Sequence, residues 1–108
     1  MVLSNELHEQ AEFITLLYSK KFGPYDSKEI KLYKNCSECI YFIRLYGTAY
    51  NTGGTLYFDL EKNYFDNHSI EDFCDFIQEK CIWGNEYYFS DFRKIIKQNH
   101  TVLNLFRS

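Results

Sequence analysis

The sequence of 108 residues predicts an α+β fold: a three- or four-stranded antiparallel sheet with helices packed on one face, in the order α-β-β-β-α-α. Two patterns carry this prediction. Apolar and polar residues alternate between Glu29 and Lys34 and between Thr55 and Leu60, as in strands with one buried face. From Ile70 onward, apolar residues recur at helical spacing. We expect a single domain covering residues 1–108.

The first predicted element is a helix that begins after a cap at Ser4 and runs to about Phe22. Its apolar stripe is formed by Leu7, Ala11, Ile14, Tyr18 and Phe22. Gly23 and Pro24 follow, and this pair is typical of a helix end because proline does not continue a helix.

Three strands are predicted next. Glu29 to Lys34 is expected to be an edge strand, and the apolar run from Cys39 to Tyr46 a central one. A flexible hairpin loop over Gly47 to Gly54 leads to the third strand, Thr55 to Leu60.

The alternation implies a second sheet face that is rich in aromatic residues. Tyr33 and Tyr57 are expected to point away from the helices. They share that face with one of two sets, either Phe42, Arg44 and Tyr46 or Tyr41 and Ile43. Such a face can bind a partner, or the C-terminal segment can cover it.

The central feature of the chain is an acidic amphipathic helix that begins after Ser69. Ser69 and Asp72 have the spacing of a capping box. The predicted apolar stripe consists of Ile70, Phe73, Cys74, Ile77 and Cys81. The opposite face presents Asp72, Asp75 and Glu79 with no lysine or arginine among them. This face is either acidic for solubility or a docking surface for a basic partner.

An aromatic loop from Trp83 to Phe89 follows, and Ser90 is expected to cap a last helix. Asn99 marks a possible break, after which residues 101–106 are either helix or a fourth strand. Acidic residues interleaved with tyrosine suit a protein interface. The predicted partner-binding residues are Asp66, Asp72, Asp75, Glu79, Glu86, Tyr87, Tyr88 and Asp91.

Charge is distributed unevenly along a chain of net charge −3. Residues 59–91 contain nine acidic and two basic residues, whereas residues 92–108 contain four basic and no acidic residues. This acidity disfavours non-specific nucleic-acid binding. No signal peptide or membrane span is predicted, so we expect a cytoplasmic protein whose four cysteines are reduced.

No catalytic or cofactor motif is evident, and the chain is not expected to be an enzyme or to bind a metal. Cys36 and Cys39 have the spacing of half a zinc knuckle. The remaining cysteines, Cys74 and Cys81, are separated by about 10 Å on one helix, too far to share an ion. His68 has no nucleophile motif near it in the sequence, so we interpret it as a loop histidine beside a helix cap.

The predicted α-β-β-β-α order resembles that of the double-stranded RNA-binding domain. That family has a lysine cluster at the start of its second helix, where this chain has the acidic sequence SIEDFCD. Binding of double-stranded RNA is therefore disfavoured. In overall character, small, acidic and tyrosine-rich, the chain is similar to bacterial immunity proteins of bacteriocin and contact-dependent growth-inhibition systems, and to phage-encoded inhibitors.

These features lead to the hypothesis of an immunity protein that binds a cognate toxin, with a basic nuclease as one candidate, and that is a monomer or a weak dimer. One alternative is a nucleic-acid-binding module that uses Arg93, Lys94 and Lys97 together with the aromatic sheet face. A phage-type inhibitor and a scaffold subunit that self-associates through that face are the others.

Overall fold

The computed structural model of the chain describes residues 11–24, 26–35, 40–49, 52–80 and 91–107. The chain divides into two compact units, Met1–Lys62 and Asn63–Ser108, and each is considered by itself. The first unit contains a sheet and the second contains helices, which confirms the α+β class. That residues 1–108 form one domain stays a prediction.

The sheet consists of four antiparallel strands in sequential order: β1 (Ala11–Gly23), β2 (Asp26–Asn35), β3 (Ile40–Ala49) and β4 (Thr52–Asp59). The predicted first helix is wrong over residues 11–22, which belong to β1. Its start, residues 4–10, lies outside the described residues. Among the described residues the strands therefore come before the helices, and the predicted order α-β-β-β-α-α is wrong at its N-terminal end.

Irregular pairing explains why β1 lacks the strict alternation of apolar and polar residues that is typical of a strand. Its pairing with β2 shifts register at three places, between Phe13 and Thr15, Leu16 and Tyr18, and Lys21 and Gly23. Each shift inserts a residue, so that neighbours on one sheet face are three positions apart instead of two, as Phe13 and Leu16 are. Spacings of three are also typical of one helix face, and the two structures are then indistinguishable by periodicity.

The other strands follow the predicted alternation. β2 lies between β1 and β3 and is therefore an interior strand, not the predicted edge strand. One sheet face is apolar, and Ile30, Leu32, Ile43 and Leu45 on that face are buried. β3 and β4 extend into the predicted hairpin loop, and their register runs without a shift from Ala49 opposite Thr52 to Phe42 opposite Asp59.

The second unit contains four helices in its described residues: α1 (Tyr64–Asn67), α2 (Ile70–Lys80), α3 (Phe92–Lys97) and α4 (His100–Leu105). The chain breaks at Asn99, whose side-chain oxygen accepts a hydrogen bond from the Val102 amide at 3.1 Å and so caps α4. The alternative of a strand over residues 101–106 is therefore wrong.

Aromatic rings form the centre of this helical unit. Phe73 of α2 is fully buried, and its ring centroid lies 6.1 Å from Tyr64, 5.7 Å from Phe65 and 5.9 Å from Phe106. Burial of Phe73, Cys74 and Ile77 confirms most of the predicted apolar stripe of α2. Cys81, the last member of that stripe, lies outside the described residues.

Candidate functional site: an aromatic sheet face and an acidic helix

One aromatic residue from each strand joins a ladder across the sheet. The centroids of Phe13 and Tyr33 lie 5.5 Å apart in an edge-to-face arrangement, and those of Tyr33 and Phe42 lie 5.3 Å apart and stacked. Tyr57 completes the ladder at 6.0 Å from Phe42. The register places Phe13 opposite Tyr33 and Tyr33 opposite Phe42, so these contacts are cross-strand pairs of the kind that stabilise sheets.

Exposure increases from the middle of the ladder towards β1. Phe42 is buried and Tyr33 and Tyr57 are half-buried, whereas Phe13 is 51% exposed. Leu16, which follows Phe13 on the same side of the sheet, is 43% exposed. We define the aromatic sheet face as the surface formed by Phe13, Leu16, Tyr33, Phe42, Arg44, Tyr46 and Tyr57. Of the two sets predicted from the sequence, the one that shares this face with Tyr33 and Tyr57 is Phe42, Arg44 and Tyr46.

Arg44 provides a positive charge within the aromatic sheet face. Its guanidinium carbon lies 5.8 Å from the Tyr46 ring centroid, and its side chain hydrogen-bonds with Tyr33. Burial opposes the charge, but the hydrogen bond with Tyr33 and the neighbouring Tyr33, Tyr57 and Glu29 outweigh it, so the pKa is raised. Nε of Arg44 is buried and has no hydrogen-bond partner in the described part of the chain.

The other charges of this face are balanced. Lys31 Nζ lies 3.1 Å from a carboxylate oxygen of Glu29 and 5.7 Å from the Phe13 ring centroid. In the register of β3 and β4, Asp59 lies opposite Phe42, and its side chain is therefore on the same side of the sheet as that of Arg44. The face therefore combines apolar area with charges of both signs.

The capping box at the start of α2 is formed as predicted. The Asp72 amide donates to Ser69 Oγ at 3.1 Å, and the Ser69 amide donates to Asp72 Oδ2 at 3.0 Å. The backbone hydrogen bond from Ser69 holds the pKa of Asp72 below its usual value. His68 Nδ1 lies 3.8 Å from Asp72, and its ring stacks on Tyr64 at 4.1 Å. His68 thus packs beside the helix cap.

α3 neutralises one side of the acidic helix. Arg93 contacts Asp75 at 2.5 Å, Gln78 at 2.7 Å and Glu71 at 3.4 Å, and Lys97 forms a further ion pair with Glu71. Asp75 raises the pKa of Arg93 through a hydrogen bond. The side of the acidic helix that faces α3 is therefore neutralised by cations that lie far away in the sequence.

The other side of α2 remains acidic and exposed. Asp72 and Glu79 are seven positions apart, about two helical turns, and point to the same side. Glu79 is exposed and makes no ion pair within the described ranges. Asp66 is exposed on α1, and Asp91 is half-buried directly before α3.

The predicted interface also included Glu86, Tyr87 and Tyr88, all of which lie outside the described residues. Among the described members of the predicted interface, Asp72 and Glu79 lie on the same side of α2. Asp75 forms an ion pair with Arg93.

Sequence reasoning missed two groups of residues. Phe13 and Leu16 were placed in a helix, although their aromatic and apolar side chains near β-branched Ile14 and Thr15 are also typical of a strand. Glu71 was not singled out, and the sequence contains no signal for its pairing with Lys97, 26 positions later.

The described residues contain neither clustered metal-ligating side chains nor membrane-spanning helices. They contain no cluster of three or more His, Cys, Asp or Glu side chains arranged to hold an ion, and no helix that is long and apolar enough to cross a membrane. Cys74 is buried, and burial raises the pKa of its thiol. Cys36, Cys39 and Cys81 lie outside the described ranges.

Comparisons with protein-family models, with curated proteins and with solved structures find no match to this chain.

Proposed function

We propose that this chain is a small protein-binding inhibitor of the immunity-protein kind, and that its partner docks on the aromatic sheet face. The observation that carries the proposal is the aromatic ladder across four strands, which ends in the exposed side chains of Phe13 and Leu16. Tyrosine, arginine and exposed aromatic residues dominate the energetics of protein interfaces. A rigid sheet presents them without loss of backbone entropy on binding.

The charge balance of this face favours a protein over a nucleic acid. Single-stranded nucleic acids bind aromatic platforms that lie within a positively charged groove. Here Lys31 is paired with Glu29, and Asp59 shares the face with Arg44. The alternative basic surface on α3 is weakened as well, because Arg93 and Lys97 are paired with carboxylates of α2.

The exposed side of α2 supports a basic partner. Asp72 and Glu79 are exposed carboxylates that could attract a positively charged protein by long-range electrostatics. Glu71 and Asp75 contribute less to this attraction than the sequence suggests, since Arg93 and Lys97 neutralise them. A basic toxin, a nuclease among the candidates, has the charge that this side of the helix would recognise.

A pull-down with matched variants tests the proposal. The tagged wild-type chain is incubated with nuclease-treated lysate of the native organism, and retained proteins are identified by mass spectrometry. Leu16→Glu is compared with Ile95→Glu, because Leu16 and Ile95 are equally exposed, at 43% and 41%, but lie in different units. We expect one stoichiometric basic protein to be retained by wild type and Ile95→Glu, and to be lost with Leu16→Glu.

The inhibitor role requires a further result. The retained protein should be toxic when expressed alone and harmless when co-expressed with this chain. Equal retention by wild type and Leu16→Glu would refute the sheet face as the interface. Retention of material only when nuclease is omitted would instead favour the nucleic-acid-binding alternative.

A further inference from the structure

We propose that this chain also forms a weak two-fold symmetric homodimer in which β4 of one copy pairs antiparallel with β4 of a second copy, centred on Thr55. β4 is an edge of the sheet and, within the described ranges, pairs with β3 alone. Backbone amides and carbonyls along a sheet edge are chemically complementary to another extended strand.

The ladder between β3 and β4 shows which backbone groups face the second copy. The Leu60 amide donates to the Tyr41 carbonyl at 2.8 Å, so this pair is hydrogen-bonded. Hydrogen bonds to one neighbour alternate along an antiparallel strand. Even-numbered residues of β4 therefore bond to β3, and the amide and carbonyl of Thr55 point away from it.

The two edges of the sheet differ in how they are protected. β1 has three register shifts and carries Lys20 and Lys21, and both features hinder the addition of a further strand. β4 pairs with β3 through eight consecutive residues without a shift. Residues 52–58 include neither a charged residue nor a proline. β4 is therefore the edge that accepts another strand.

β4 is complementary to itself about Thr55. A two-fold axis at this residue sets Leu56 of one copy directly opposite Gly54 of the other, on the same sheet face, and does so twice. Leu56 is 42% exposed, and the space beside Gly54 where a side chain would lie has no atom within 4 Å. Each leucine can fill the space over the opposing glycine, and no like charges meet.

The size of the contact predicts a weak dimer. Seven paired residues span about 23 Å, and a sheet about 10 Å thick gives a buried area of only several hundred Å². Stable complexes bury about 1,200 Å² or more. Dimer and monomer should therefore exchange with concentration.

Sedimentation velocity of the full chain from about 10 μM to about 1 mM tests the dimer. We expect the weight-average mass of wild type to rise from 13.0 kDa towards twice that value. Thr55→Pro removes the outward amide and leaves the bonds to β3 intact, and the preceding Gly54 has no Cβ to clash with the proline ring. The matched control Thr55→Ala loses the same hydroxyl but keeps the amide.

Thr55→Pro should remain monomeric at every concentration, whereas Thr55→Ala should dimerise like wild type. Leu56→Lys, which changes only a side chain, should also weaken the dimer and provides the test if the proline variant does not fold by circular dichroism. A wild type that stays at 13.0 kDa throughout would overturn the proposal, as would a folded Thr55→Pro or Leu56→Lys variant that dimerises as strongly as wild type.

Discussion

Replacing Phe73 by alanine should destabilise the protein far more than the same change at Phe76, although both residues lie in α2. Phe73 is fully buried among Tyr64, Phe65 and Phe106. Phe76 is only partly buried, and its ring lies 6.0 Å from Tyr64 and 5.5 Å from Lys80 Nζ.

The expected magnitudes follow from this burial. Phe→Ala at a buried site removes about 3–5 kcal/mol from the free energy of unfolding, through lost burial and the cavity that remains. Most of the transfer free energy of a phenylalanine side chain, roughly 1–2 kcal/mol, is at stake at Phe76. Alanine improves helix propensity equally at the two positions, so this term cancels in the comparison. The difference should therefore be about 2 kcal/mol, a large part of the ~5–15 kcal/mol that stabilises a domain.

Urea unfolding followed by circular dichroism measures this difference. With a slope of about 1–3 kcal/mol per molar urea, the two midpoints should differ by about 1 M. Phe73→Leu extends the series if Phe73→Ala does not fold. Its urea midpoint should lie between those of wild type and Phe76→Ala, or close to that of Phe76→Ala. Equal midpoints for Phe73→Ala and Phe76→Ala would show that Phe73 is not at the centre of the helical core.

Two titratable groups give the remaining predictions. The pKa of Asp72 is lowered in the folded protein by the Ser69 amide, so its contribution to stability is present above the unfolded value near 3.8 and is lost as the pH falls through the lower, native value. Urea midpoints measured from pH 6 downward should therefore decrease less steeply for Asp72→Asn than for wild type, and equal slopes would contradict the role of the cap. Burial raises the pKa of Cys74 above 9.0 because it favours the neutral thiol. The contribution of this buried thiol to the free energy of unfolding is therefore present below pH 9 and is lost as the pH rises through the native pKa. At neutral pH, iodoacetamide should label Cys74 only in urea-unfolded protein, as measured by peptide mass spectrometry, and rapid labelling of folded protein would show that the thiol is accessible.

Local patterns were sufficient for α2 and for the last three strands. The capping box of Ser69 and Asp72 and the apolar stripe through Phe73 and Ile77 depend only on residues close in sequence. The strict alternation in β2 and β4 fixed which side chains share a face. From this alternation the aromatic character of one sheet face, with Tyr33 and Tyr57, was predictable.

Features that depend on distant pairing were not predictable. The register shifts of β1 become visible only when β2 lies beside it, and they gave Phe13 and Leu16 the spacing of a helix. The pairing of Arg93 with Asp75 likewise depends on the approach of two helices, which periodicity within either helix does not report. Two of the seven residues of the aromatic sheet face, Phe13 and Leu16, and the neutralisation of Asp75 by Arg93 could therefore not be predicted from the sequence.

The pairing of α2 with α3 changes how the charge of this chain should be interpreted. Residues 59–91 contain nine acidic and two basic residues, which suggests a strong negative field. Arg93 and Lys97, however, form ion pairs with Glu71 and Asp75. Beyond a Debye length of about 8 Å at physiological salt, such close pairs contribute little to the field of the helix. What remains on α2 is a modest negative potential. For the basic partner proposed above, this potential is enough to accelerate the encounter, but the carboxylates are too exposed to hold the complex together. The lifetime of a complex should therefore depend on apolar burial at the aromatic sheet face.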